Sequence, residues 1–160
     1  MKNKKELITF DFGNGPVPAH QHKNPNGSIG GWVANTATVA DTAYIGEDAQ
    51  VYGHAKVDGI AFVADNAQVF GNALVSGDAL VYGYAQVFGD AQVFGYARVY
   101  GDAEVVGYAQ VYGYARVYGD ALVFGNAQVY DNAWVYNNAK VYGNALVSGK
   151  VKVSGDAWLR

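Results

Sequence analysis

The chain has 160 residues, about one domain, and a formal charge of −3 from 11 Lys plus Arg against 14 Asp plus Glu. That balance is too mild for a nucleic-acid binder or an acidic tail. Absence of cysteine excludes a disulfide frame, a Cys-zinc site and a Cys nucleophile, and without a run of 18 apolar residues no transmembrane helix is expected.

Residues 1–30 differ in composition from the rest. They hold all three Pro, two of the three His, and the apolar stretch Leu7-Ile8-Thr9-Phe10-Asp11-Phe12. The basic start lacks an apolar core followed by a small-residue cleavage site, so no signal peptide and a cytoplasmic location are expected. The segment reads as one strand followed by a Gly/Pro-rich loop from Gly13 to Gly30. Its expected role is a cap, with Phe10 and Phe12 covering the open end of the core.

Residues 31–160 form the second unit. From Val33 to Leu159 an aliphatic residue stands at every sixth position, 22 times without insertion or deletion. Two residues before each lies Ala, except at Gly31 and Val151; two residues after each lies Gly, Asn, Asp or Glu. The unit is A-x-V-x-G-x, as in Ala97-Arg98-Val99-Tyr100-Gly101-Asp102. In a strand, residues two apart share a face, so Ala and Val point one way and their neighbours the other. In a helix, Ala and Val would drift around the helix axis, and Gly in each unit would cost about 1 kcal/mol. Each unit therefore predicts one short strand and one corner, and burial of its Ala–Val face requires stacking of coils.

Outward residues fix the number of units per coil. Tyr82, Tyr100, Tyr118 and Tyr136 are 18 apart, as are Gln92, Gln110 and Gln128, Arg98 and Arg116, and Asp102 and Asp120. Three units per coil and about seven coils give a rod roughly 34 Å long. At its far end, Lys150 and Lys152 discourage edge-to-edge growth, and Trp158 is expected to form a small lid.

An aliphatic residue at i and a small residue at i+4, repeated every six positions, resembles the hexapeptide-repeat left-handed β-helix family. The resemblance covers about residues 31–160 and implies an all-β, left-handed parallel β-helix. The Val-Tyr-Gly-Asp-Ala phrasing and the Gly30-Gly31-Trp32-Val33 start resemble uncharacterised bacterial and phage polymer-forming repeat proteins. The family's known enzymes are acyltransferases and γ-class carbonic anhydrases. The anhydrases use three His on zinc, whereas this chain offers His20, His22 and His54, of which only His54 lies in a coil. If residues 20–22 are extended, His20 and His22 share a face and, with His54, form the weak candidate metal set. The acyltransferases interrupt their coils with a loop and append a helix or domain; here the units run without interruption. No catalytic residue and no cofactor is assigned.

Other short strings carry little. Asp11-Phe12-Gly13 lacks every kinase partner, Gly13-Asn14-Gly15 is too short for a dinucleotide fingerprint, and Asn26-Gly27-Ser28 matters only on a secretory route. Corner aspartates Asp78, Asp90, Asp102 and Asp120 read as turn residues that satisfy backbone amides. Thr36 and Thr38 are a single match to ice-binding ranks. The repeat carries 7 Lys plus Arg and 12 Asp plus Glu, too sparse for DNA mimicry.

The strongest functional signal is the outward aromatic belt. The position after Val is expected to face solvent, and reads Tyr52, Phe70, Phe88, Val106, Phe124, Tyr142 on one face. It reads Phe94, Tyr112, Tyr130 on the second and Tyr82, Tyr100, Tyr118, Tyr136 on the third, while corners add Tyr84, Tyr96, Tyr108 and Tyr114. Cross-strand aromatic neighbours stabilise by about 0.2–1 kcal/mol per pair, but such a belt also exceeds the apolar patch a monomer normally exposes. The expectation is a non-enzymatic structural protein that forms a homo-oligomer through these ladders. The alternative is a binding module for a glycan or partner protein on the same ladders, ahead of a divergent acyltransferase-like or anhydrase-like enzyme. Neither nucleic acid nor membrane is an expected partner.

Overall fold

The computed structural model describes residues 6–160. Three strands open the chain: β1 (Thr9–Asp11), β2 (Pro16–Lys23) and β3 (Ile29–Ala34). Twenty-one two-residue strands follow, from β4 (Thr38–Val39) to β24 (Trp158–Leu159), one in each six-residue unit. No helix among the described residues is long and apolar enough to cross a membrane.

Every third strand pairs in parallel. Gln50 lies beside Gln68, Gln68 beside Gln86, and Gln92 beside Gln110, each 18 residues along the chain. The result is one sheet of ten strands, including β1 and β2, and two sheets of seven. About seven stacked coils make a parallel β-solenoid, as the repeat predicts. Outward residues donate their N–H to the next coil, as from Tyr52 to the Val69 carbonyl at 3.0 Å and from Tyr100 to Val117 at 3.0 Å. Ala and Val point inward, and from Ala67 to Val135 every such residue is fully buried apart from a trace at Ala121. A core almost entirely of Ala and Val, with Ile45 near its start, is narrow, so three flat walls can close around it.

The corners need a left-handed residue. Gly101 has φ of 70°, and a Cβ there would lie 2.9 Å from the Gly119 nitrogen of the next coil. Three such positions hold another residue, Asp65, Asp131 and Asn137. At two of them the side chain bonds to the next coil. Asp65 accepts the Gly83 N–H at 3.0 Å and Asp131 the Gly149 N–H at 3.1 Å. The corner aspartates Asp78, Asp90, Asp102 and Asp120 make no such bond. They stand one residue further on, pointing outward, and among the described residues only Asp90 is engaged, accepting from Asn72 at 3.2 Å.

The N-terminal segment departs from the sequence expectation. Most of the stretch read as a loop is strand: β2 pairs antiparallel with β1, Thr9 opposite Pro18, and with β3, His20 opposite Val33. Its prolines are compatible with pairing, because Pro16 begins the strand and the Pro18 carbonyl accepts from Asn35 at 2.9 Å. Phe10 and Phe12 do not form a lid over the end of the stack, although Phe12 is half-buried and packs against the core cluster. They lie on the outer face of the ten-stranded sheet, Phe10 stacked on Trp32 at 4.9 Å and Phe12 on Tyr52 at 4.8 Å.

Ala19, His22 and Asn24 have their side chains buried there instead. The Asn24 carboxamide donates to the Ile45 carbonyl at 3.0 Å and accepts the Ile45 N–H at 2.8 Å. His22 Nε2 donates to the Ala43 carbonyl at 2.9 Å. Two side chains thus imitate one more strand beside β5 (Tyr44–Ile45), the first strand of its sheet. Gly31, which replaces Ala in the first unit, lies so close to the Ala49 carbonyl that a Cβ would overlap it. Trp158 is not a lid. It takes the outward position before Leu159, edge-on to Tyr142 at 6.0 Å and beneath Lys140 at 4.6 Å.

Candidate functional site

The outward position after Val is half-buried rather than freely exposed. The coil spacing of about 4.8 Å is close to the separation of stacked rings, so rings on successive coils cover one another. On the first face Tyr52, Phe70 and Phe88 stack at 4.8 and 4.7 Å, nearly parallel. Val106 interrupts this ladder, and Phe124 and Tyr142 resume it at 5.1 Å. On the second face Phe94, Tyr112 and Tyr130 stack at 4.9 and 5.0 Å. On the third, Tyr82, Tyr100, Tyr118 and Tyr136 stack at 4.9, 4.8 and 5.1 Å.

Two further features share the 18-residue spacing but stand outside the belt as read from sequence. Tyr44 stacks on Phe62 at 4.6 Å in the column before the aliphatic position. Later in that column Trp134 lies between two cations, with Arg116 4.9 Å from its ring centre and Lys152 4.6 Å. At the corner, Tyr96 stacks on Tyr114 at 4.9 Å. Tyr84 and Tyr108 have no ring partner among the described residues, and they are the most exposed tyrosines, at 64% and 65%.

Stacking changes the chemistry of the phenols. Burial pushes the Tyr52, Tyr100, Tyr112 and Tyr118 hydroxyls above the ordinary tyrosine range. Neighbouring phenols add to this: Tyr82 acts on Tyr100, Tyr130 on Tyr112, and Tyr100 and Tyr136 on Tyr118. Tyr52 donates to Gln68 at 3.2 Å and Tyr112 to Gln128 at 3.1 Å, so the Gln column steadies the ring column beside it.

The three histidines do not converge. An irregularity in pairing between Gln21 and Lys23 turns His22 inward, while His20 stays exposed. His20 Nδ1 meets Asn35 Oδ1 at 2.8 Å, His22 is committed to Ala43, and His54 stands exposed at a corner. Among the described residues no group of three His, Asp or Glu side chains is placed to hold a metal.

A family model described as the YdcK β-solenoid repeat matches residues 67–84, 115–127 and 127–141. The chain is a β-solenoid repeat protein. The matched segments lie within the stacked units, and together they span less than half of the chain. No curated protein matches it, and no solved structure does.

Proposed function

We propose that this solenoid is a non-enzymatic structural protein that self-associates through its outward aromatic ladders. The observation that carries the reading is the composition of the second face. From Gln92 to Tyr130 its two outward columns hold Gln92, Gln110, Gln128, Phe94, Tyr112 and Tyr130, with no charged side chain. The stacked pair Tyr96 and Tyr114 borders it at the corner. Central interface surface is typically depleted of charge and rich in Tyr and Phe, and burial of this face requires no ion to lose its water. The third face differs: Arg98 and Arg116 stand beside its tyrosines.

Geometry ranks self-association above a glycan platform on the same ladders. A sugar packs against the face of a ring, and within a ladder each inner face is covered by the next ring. A flat row of ring edges, hydroxyls and carboxamides suits an equally flat partner. The left hand of the coil, implied by the hexapeptide-repeat resemblance, belongs to this same reading.

Light scattering across a concentration series tests it. The expected result is a discrete oligomer that Tyr112→Ser with Tyr130→Ser dissociates, while Tyr100→Ser with Tyr118→Ser leaves it assembled. A monomer at every concentration would overturn self-association, and loss of mass only with the second pair would move the contact to the third face.

A further inference from the structure

Asn66, Tyr84 and Asp102 occupy one corner position on three successive coils, and Gln68, Gln86 and Glu104 stand beside them in register on the adjoining sheet. Together they line a groove of about 450 Å³. It spans two coil spacings, about 10 Å, the length of a disaccharide. Tyr84 lies outside every ladder and is 64% exposed, with Asn66 and Asp102 as the corner residues on either side. No hydrogen bond or ion pair engages the Asn66, Gln86, Asp102 or Glu104 side chain among the described residues. Gln68 accepts from Tyr52 through Oε1, which leaves its amide hydrogens free.

We infer that this groove is a carbohydrate subsite for an uncharged oligosaccharide, with Tyr84 as its stacking platform. A pyranose offers two surfaces: a patch of axial C–H groups and a rim of hydroxyls. The C–H patch, partly positive, sits against the electron-rich face of an aromatic ring. The rim needs donors and acceptors at its edge, which three carboxamides and two carboxylates provide around the ring. Sign decides the class of sugar. The lining has two carboxylates and no cation, so uronic acids and sulfated sugars are repelled. This site is separate from the second face and holds whether or not the chain self-associates.

Calorimetric titration of the full chain with chitohexaose, cellohexaose and the hexamer of galacturonic acid is the test. At least one neutral oligomer is expected to bind and the acidic one not to. Tyr84→Ala is expected to weaken binding by at least about tenfold, and Tyr84→Phe to retain it, since the ring face remains. Tyr84 is exposed and supports no ladder, so the thermal melt of Tyr84→Ala checks that the fold is intact. Asp102→Asn with Glu104→Gln is expected to admit the acidic hexamer. Failure of both neutral oligomers to bind overturns the inference, as does binding indifferent to Tyr84→Ala or a preference of the native chain for the acidic hexamer.

Discussion

At the scale of single residues, the corner position shows how backbone conformation and inter-coil distance act together. Gly101→Ala puts a Cβ on a left-handed backbone and against the next coil, and is expected to cost about 1–3 kcal/mol. Gly101→Asp is expected to cost less, although Asp is larger. Asp65 already occupies such a corner, and its carboxylate takes the Gly83 N–H of the next coil. Urea denaturation of the two variants gives the order; an Ala variant more stable than the Asp variant would refute it. The phenols of Tyr52, Tyr100, Tyr112 and Tyr118 make a second prediction. Their pKa is raised by folding, so above the ordinary tyrosine value of about 10 the unfolded chain has lost protons that the folded chain still holds. The stability contributed by the neutral ladder is therefore full below that pH and falls as pH rises through it. The urea midpoint is expected to drop between about pH 8 and pH 11, and to drop less in Tyr100→Phe with Tyr118→Phe.

At the scale of elements, the N-terminal strand closes an edge that parallel stacking leaves open. The first strand of a sheet has backbone groups that face away from the stack, and those of Ile45 and Ala43 are buried under Asn24 and His22. Because a carbonyl can only accept, His22 carries its proton on Nε2. Asn24→Ala leaves one buried donor and one buried acceptor unpaired, at a cost of about 1–3 kcal/mol. Amide exchange reads the effect locally: the Ile45 amide is expected to exchange faster in the variant, and the Tyr100 amide, bonded to Val117, to keep its protection. This cap is not legible in the sequence. The sheets are, because parity fixes which residues turn inward and the 18-residue lag fixes which columns they join. Asn24 and Ile45 are 21 apart and follow neither rule. Phe10 and Phe12 escape the sequence for a related reason: an apolar strand before a repeat reads equally as a lid or as one more rung on the outer wall. The ladders themselves can be read from Tyr82 to Tyr136, but not their half-burial, which depends on the coil spacing being close to the separation of stacked rings.

At the scale of the whole molecule, each coil touches only the coils above and below, so stability is close to a sum of coils and coil–coil contacts. The unit of tolerance is then the coil rather than the residue. Removal of residues 97–114 joins Tyr96 to Ala115 and leaves every later column on its own face. Removal of residues 97–99 alone breaks the inward–outward alternation within one unit. The larger deletion is expected to keep a cooperative melt near that of the parent, and the smaller one to melt at a clearly lower temperature. Circular dichroism on heating distinguishes them, and a milder effect from the smaller deletion would refute the coil as the unit.

The direction of the hydrogen bonds has a mechanical consequence. All of those between coils lie roughly along the rod, so tension applied at its two ends loads them one coil at a time, as a zip is loaded rather than as a glued lap joint. Each coil that yields releases 18 residues, a length of about 60 Å when drawn out, while the coils not yet reached keep their shape. Such a rod is expected to lengthen under tension in equal steps of one coil, a sawtooth that single-molecule stretching would record.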